Sequence, residues 1–365
     1  MRVLVLWADG RSANLGVRVL AEGAEVLARG AFGPKTEVVF QDLGPNAEGF
    51  RVSTDLIKAD LGRRRGPIKQ WLRQFDAVLD TGAGDSFTDI YGRNRLARIT
   101  YTQLTARALD LPLVMLPQTV GPFTGLGHRV LARRVLKRAS VVMTRDRAST
   151  AHASELGRAD AVEGTDLVFS LPTVVADKTR DVVLNVSGLL WRENRHVDSR
   201  RYRESVVRLI EGLLAADRSV ALLPHVLENA TQDNDMIPLA ELARRYPDLE
   251  IIDPWTLADA RTAVASANWV IGARMHACLN ALSVGTPAIP WAYSRKFQPL
   301  LEGLNWSETI DLRVAEGPAS ATVARITSAE SPVDQLKESL RIAGRKSLLA
   351  MEACREIAGR GGEAE

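Results

Sequence analysis

The segment Ile271-Gly272-Ala273-Arg274-Met275-His276-Ala277-Cys278-Leu279 combines residue types suited to anion chemistry. An apolar run ends at Gly272. Arg274 and His276 then fall just before or at the start of a helical pattern, where unpaired backbone N–H groups and the helix dipole favour negative charge. Arg274 offers a planar fork for a carboxylate or phosphate, and His276 is the side-chain type best suited to carry a proton in neutral water. A capping arginine and a hydrogen-bonded histidine are the structural alternative. The position at a strand-to-helix junction favours chemistry, most strongly for His276 as an acid–base residue.

A second constellation is Met143-Thr144-Arg145-Asp146-Arg147-Ala148-Ser149. Thr144 or Asp146 can cap the helix that follows. A guanidinium at the carboxyl end of a strand points toward a ligand crevice, so Arg145 is assigned to anion binding, with Arg147 as the fallback. Thr81-Gly82-Ala83-Gly84-Asp85 also follows an apolar run, and Gly82 and Gly84 would let a ligand or another backbone come close. It is not a dinucleotide fingerprint, because position 87 is Phe where the third glycine would stand. In Gln118-Thr119-Val120-Gly121-Pro122-Phe123, a ligand contact from Gln118 or Thr119 and a plain turn are even alternatives. Asn14 of Asn14-Leu15-Gly16 either positions a substrate hydroxyl or caps the first helix. Lys296 of Tyr293-Ser294-Arg295-Lys296 either meets a phosphate or belongs to a solvated loop. His225 sits at a strand end as a candidate lining residue, whereas His128, His152 and His196 read as surface or helix residues. No His, Cys and carboxylate set has metal-site spacing.

The elements that must position these residues alternate. Strand-like runs at 3–7, 36–40, 77–79, 113–116 and 140–144 are separated by helical patterns at 15–29, 67–75, 100–109 and 127–138. A Pro-, Lys-, Asp- and Arg-rich break at 172–180 precedes a second rhythm. It has strands at 182–186, 219–223, 250–252, 269–272 and 287–289, helices at 199–215, 235–246, 256–266 and 277–284, and a terminal helix at 333–357. Such alternation predicts an α/β protein with parallel sheets covered by helices. The expected organisation is an N-terminal Rossmann-like domain over 1–176, a C-terminal one over 177–330 carrying the Arg274–His276 motif, and a C-terminal helix and tail over 331–365. The two Rossmann-like lobes are expected to face a central cleft that receives ligands.

Composition agrees. The 365 residues exceed the ~150 typical of one domain. With 46% apolar and 25% charged residues the chain is neither disordered nor fibrous. The net charge is +3, and basic clusters such as Arg63-Arg64-Arg65 and Arg133-Arg134 with Lys137-Arg138 lack interleaved aromatics, so they read as solvated faces, with a nucleic-acid surface as the lesser alternative. Two cysteines, Cys278 and Cys354, make no disulfide framework and suit a reducing cytoplasm. The N-terminus lacks a secretion signal, and no run reaches the ~20 apolar residues of a spanning helix.

In order and spacing, these motifs resemble the polysaccharide pyruvyl transferases over roughly residues 3–304. The resemblance rests on Asn14-Leu15-Gly16, Gly82-Ala83-Gly84, Gln118 through Phe123, Thr144-Arg145-Asp146 with Ser149, Arg274-Met275-His276, Gly285-Thr286-Pro287, and Tyr293 with Lys296. It implies a fold similar to the two-lobed glycosyltransferase B (GT-B) type and a reaction that moves the enolpyruvyl group of phosphoenolpyruvate to a sugar hydroxyl, forming a pyruvate ketal. It implies that Arg145, Arg274 and His276 hold phosphoenolpyruvate, with His276 also acid–base residue; with phosphoenolpyruvate as a substrate and no metal-site spacing in the sequence, no separate cofactor or metal is expected. The partner would be a saccharide acceptor, lipid-linked or polymeric; a lipid-linked one would place a cytoplasmic enzyme at the inner membrane face. Family members commonly carry an acidic residue after Asn-Leu-Gly, and here that position is Val17, so the acceptor is the open part of the assignment. A nucleotide-sugar glycosyltransferase and a catalytically silent carbohydrate-binding relative are the competing readings.

Overall fold

The computed structural model describes residues 1–44, 49–227 and 233–362, the side chains of 360–362 excepted. By contacts the chain forms two compact units. One comprises residues 1–10, 20–171 and 343–365, the other residues 11–19 and 172–342.

The first unit is built on β1 (Arg2–Leu6), α1 (Leu15–Phe32, whose residues up to 19 group with the second unit), β2 (Glu37–Gln41), α2 (Thr54–Asp60), α3 (Pro67–Leu72), β3 (Ala77–Asp80), α4 (Arg93–Ala108), β4 (Leu113–Gln118), α5 (Leu126–Arg138), β5 (Val141–Thr144), α6 (Arg147–Glu155) and β6 (Val162–Glu163). Its strands form one parallel sheet in the order β2-β1-β3-β4-β5-β6. The second unit contains β7 (Arg180–Asn185), α7 (Gly188–Trp191), α8 (Ser199–Ala215), β8 (Val220–Leu222), α9 (Met236–Arg245), β9 (Glu250–Ile251), α10 (Leu257–Ala265), β10 (Ala267–Gly272), α11 (Met275–Ser283), β11 (Ala288–Ala292), α12 (Phe297–Glu302), β12 (Ile310–Asp311) and α13 (Pro318–Thr327). Its sheet is also parallel, in the order β12-β11-β10-β7-β8-β9. The chain ends in α14 (Val333–Gly362).

In each sheet the strand order reverses once, between β1 and β3 and between β7 and β10. At such a switch point the connecting loops diverge and leave a crevice beyond the strand carboxyl ends. The sheets are apolar on both faces, as parallel sheets covered by helices must be. Along β1, Val3 and Val5 pack on one face with Leu20, Ala24 and Leu27 of α1, while Leu4 and Leu6 pack on the other with Ile68, Leu72, Ile99, Val135 and Leu136.

The expected rhythm is present, with differences that have local causes. The helix expected at 100–109 begins at Arg93, because its first turns are Arg-rich and its buried face includes Thr100, Thr102 and Gln103, which mask the apolar period. The helices α2, α7, α12 and α13 are short and were not expected. Helix α8 keeps its expected bounds, Asp198 capping it by accepting from Arg200 N (2.8 Å) and Arg201 N (3.1 Å). Where the sequence set 331–365 apart, contacts group residues up to 342 with the second unit and residues from 343 onward with the first. Residues 363–365 lie outside the described residues. Ala350, Ala353, Cys354 and Ile357 of α14 complete the core cluster around Val3, Val5 and Leu27.

That packing makes the C-terminal helix part of the first unit's core. Ala350→Asp, placed where the side chain is 1% exposed, is expected to lower the unfolding free energy by about 3 kcal/mol or more in a urea titration. An unchanged midpoint would show that α14 is dispensable.

Candidate functional site

In the second unit the carboxyl ends of β7 and β10 lie side by side, with Asn185 paired to Gly272. The Asn185 side chain fastens both neighbours: its Oδ1 accepts from Arg274 N (3.0 Å), and its Nδ2 donates to Leu223 O (3.0 Å). Beneath them Asp235 is fully buried. Its carboxylate accepts from Gly188 N (2.8 Å), His225 N (3.0 Å), Val226 N (3.0 Å), Asn185 Nδ2 (3.3 Å) and Arg274, whose Nη2 lies at 2.6 Å and Nε at 3.1 Å. Arg274 Nη2 also pairs with Asp233. Burial alone would raise the Asp235 carboxyl, but the Arg274 charge and these hydrogen bonds outweigh it and hold the group below the usual carboxylate range. Arg274 shows the converse: burial opposes its charge, yet Asp235 and Asp233 push its pKa up. Among the described residues the hydrogen bonds of its fork fall on Nε and Nη2.

His276 lies in the first turn of α11, two residues past the cap position at Arg274. Gly16 packs so closely against it that a Cβ at Gly16 would fall 2.7 Å from His276 Nδ1. The Asn14-Leu15-Gly16 loop is itself strapped to residues 225–227: Asn14 and Val226 form an antiparallel bridge, Leu15 N donates to His225 O (3.0 Å), and Leu227 N donates to Ala13 O (2.8 Å). Asn14 Oδ1 accepts from Gly16 N (2.9 Å), so Asn14 caps the loop turn while Gly16 makes room for the imidazole. Asn280, one turn along α11, donates to His276 O (2.8 Å) and to His225 Nε2 (3.1 Å). Because the amide nitrogen is the donor, His225 Nε2 accepts. His225 is 2% exposed, and burial, followed by the nearby His276, drives its pKa down to about 3. It is therefore a neutral support for α11 and not the lining residue expected from sequence. Lys296 caps α12, where, after burial and Arg195, its charge helps hold His196 below the usual imidazole value.

In the first unit, three successive residues after β3 have left-handed backbones: Gly82 (φ 55°), Ala83 (φ 48°) and Gly84 (φ 79°). Their N–H groups are consumed locally, by Asp80 Oδ1 (2.7 Å), Thr81 Oγ1 (3.2 Å) and Thr81 O (2.9 Å). The loop is thus a closed turn and offers no open nest of amides. Its glycines serve close approach instead. A Cβ on Gly82 would lie 1.9 Å from Gln118 Oε1, and one on Gly84 would lie 3.4 Å from Arg145 Nη1. Gln118 Nε2 donates to Asp80 O (2.8 Å), and its Oε1 is buried without a partner. Asp80, fully buried, also accepts from Trp7 Nε1 (3.0 Å) and Gln103 Nε2 (3.0 Å); burial raises its pKa to about 6 against those bonds.

Arg145 closes this group. It is 2% exposed; Nε donates to Thr119 Oγ1 (2.9 Å), Nη1 lies 3.5 Å from Asp166, and Nε lies 4.0 Å from Asp146. Nη2 is buried and has no partner among the described residues. Ser149 Oγ and Thr165 Oγ1 are likewise buried and unpartnered. Asp146 caps α6 by accepting from Ser149 N (2.8 Å), the cap expected of it, and the Arg145 side chain takes no part in that cap. The structure thus groups Gly82, Gly84, Gln118 and Arg145 in one unit and Asn14, Arg274 and His276 in the other. Asp235, Asn185, Asn280 and Asp80 were not picked out from sequence; Asp235 reads there as an ordinary helix start. Among the described residues no group of three or more His, Cys, Asp or Glu is placed to hold a metal ion.

The family model for polysaccharide pyruvyl transferase matches residues 32–295, most of the chain. The chain belongs to that family. The matched span includes Gly82, Gly84, Gln118, Arg145, Arg274 and His276, whereas Asn14 and Lys296 fall outside it. Among curated relatives is the amylovoran biosynthesis protein AmsJ of Erwinia amylovora, 22% identical over 259 residues, or 65% of this chain; the chain spans 61% of that relative's length. Solved structures of similar fold include a putative UDP-N-acetylglucosamine 2-epimerase from Listeria monocytogenes (TM-score 0.59, 12% identity, covering 100% of this chain and 97% of the other). Another is Alr3699/HepE of Anabaena in complex with UDP (TM-score 0.54, 12% identity, both chains covered completely). At such identities the likeness carries the fold, an α/β protein of the GT-B type with two parallel six-stranded sheets.

The Asp235–Arg274 pair yields a stability test. Asp235→Ala strands a buried guanidinium and frees three backbone N–H groups, an expected loss of about 3–5 kcal/mol. With Arg274→Ala added, the total should fall short of the sum by ~1 kcal/mol or more, because the partners are in contact. Since Asp235 is depressed in the folded state, its contribution is present above the unfolded value of about 4 and lost as pH falls through the folded one. Additive effects in urea titrations would contradict this pairing.

Proposed function

We propose that the chain transfers the enolpyruvyl group of phosphoenolpyruvate to a saccharide and closes it to a pyruvate ketal. Family membership supports the reaction class, and the observation that carries the donor assignment is Arg145: a buried guanidinium whose Nη2 has no partner among the described residues. Buried polar groups are nearly always satisfied, so a donor group held bare in this way suits an anionic ligand. Gln118 and Thr119 fix the loop beside it, and Gly84 leaves its guanidinium room.

Arg274 has the narrower duty. Two carboxylates hold most of its fork, leaving Nη1 to meet a carboxylate or phosphate oxygen. His276, in the first turn of α11, delivers a proton to the C3 methylene of the donor while a sugar hydroxyl adds to C2 and loses its own proton. The tetrahedral product expels inorganic phosphate, its C–O bond electrons leaving with the phosphate, and the arginines stabilise that charge. A neighbouring hydroxyl then adds to the resulting oxocarbenium carbon and releases a proton, which completes the ketal. Donor binding and proton delivery thus fall on different residues.

Thermal scans separate the roles. Phosphoenolpyruvate at ~100 times its dissociation constant should stabilise the protein by about 2.7 kcal/mol, and a nucleoside diphosphate should not. The shift should vanish in Arg145→Ala. It should persist in His276→Ala, whose turnover should fall ~10²–10⁴-fold. Protection by the nucleoside diphosphate alone would reject pyruvyl transfer in favour of glycosyl transfer.

A further inference from the structure

Helix α5 carries a face that the proposed reaction does not use. Its inner side, Ala132, Val135 and Leu136, is built into the core of the first unit. Its outer side presents Leu126 (84% exposed) and Val130 (69% exposed), followed at helical spacing by Arg133 and Lys137, so apolar and then cationic residues form one stripe along the helix. Arg129, Arg134 and Arg138 flank it and are also exposed. None of these five cations has a hydrogen bond or ion pair from its side chain among the described residues. Residues 93–138, which span α4 and α5, contain nine Arg and Lys and a single carboxylate, Asp110. The whole chain, by contrast, is only +3. The carboxylate that touches the helix start, Asp89, is 4% exposed and occupied in fixing it, accepting from Thr124 N (2.7 Å), Gly125 N (3.1 Å) and His128 Nδ1 (2.9 Å). The nearby Glu155 and Asp160 face His152 (3.6 Å) and Arg158 (3.0 Å).

We infer that this face of α5 docks the protein on an anionic phospholipid surface. The cations complement lipid phosphates, and each is worth ~5-fold in partitioning near such a surface. Leu126 and Val130 protrude from the first turns, where they can enter the boundary between headgroups and acyl chains. A nucleic-acid surface is the less favoured reading: it would not use the two protruding aliphatic residues, and no aromatic on this face is exposed for base stacking. No helix of the described residues is long and apolar enough to cross a membrane, so the contact would be peripheral.

The test is cosedimentation of the full chain with vesicles of phosphatidylcholine alone or mixed with phosphatidylglycerol. Binding is expected only to the anionic vesicles, weakening as salt shortens the screening length. Arg133→Ala/Arg134→Ala/Lys137→Ala should lower that binding ~100-fold. Leu126→Ser/Val130→Ser should also weaken vesicle binding while leaving binding to a single-stranded oligonucleotide unchanged. All these positions are exposed, and matching circular dichroism and melting temperature would verify folding. Failure of the parent protein to bind anionic vesicles, or equal binding by the triple variant, would overturn the inference. So would oligonucleotide binding tighter than vesicle binding and lost in the triple variant, which would make the face a nucleic-acid surface.

Discussion

A carboxylate with no exposure to solvent organises the second unit. Removing Asp235 from water is unfavourable by several kcal/mol unless its lone pairs and charge are both answered. The answering donors come from after β7 (Gly188), after β8 (His225 and Val226) and from the cap of α11 (Arg274). Three strand ends are therefore fixed by one side chain. Residues 225–227 in turn carry the Asn14-Leu15-Gly16 loop, and Gly16 defines the space beside His276. The imidazole's surroundings thus trace back to one ion pair.

Arg145 and Arg274 look alike in sequence, each an arginine just past a strand and just before a helix. Their electrostatic settings differ. Arg274 is neutralised by Asp235 at 2.6 Å and by Asp233, so most of its hydrogen-bonding capacity is spent inside the protein. Arg145 has carboxylates only at 3.5 and 4.0 Å, a neutral partner in Thr119, and one nitrogen with none. A buried cation with incomplete compensation is the better place for an incoming anion. A fully paired one is better suited to holding geometry.

The alternation of strands and helices was legible because parallel strands are continuous apolar runs and their helices carry a regular apolar stripe. The same logic placed Arg145, Arg274 and His276 at strand ends. Less legible was what depends on contacts distant in sequence. Asp235 reads as a routine helix start because its donors lie up to 50 residues away. Gly82 and Gly84 read as a place where a ligand or another backbone comes close, yet what comes close is the side chains of Gln118 and Arg145, and the amides are consumed within the turn. The basic residues of α5 read as solvated, since sequence does not show that no acidic side chain among the described residues pairs with them. Helix α4 escaped at its start because polar residues occupy its buried face.

The most direct measurement is an NMR titration of protein labelled with ¹⁵N-arginine, following side-chain Nε and Nη signals as phosphoenolpyruvate is added and assigning Arg145 by its substitution. The account predicts that the Arg145 signals move and saturate with the donor, while the tightly paired Arg274 responds less. Saturation of donor-dependent changes elsewhere with the Arg145 signals unmoved would contradict it.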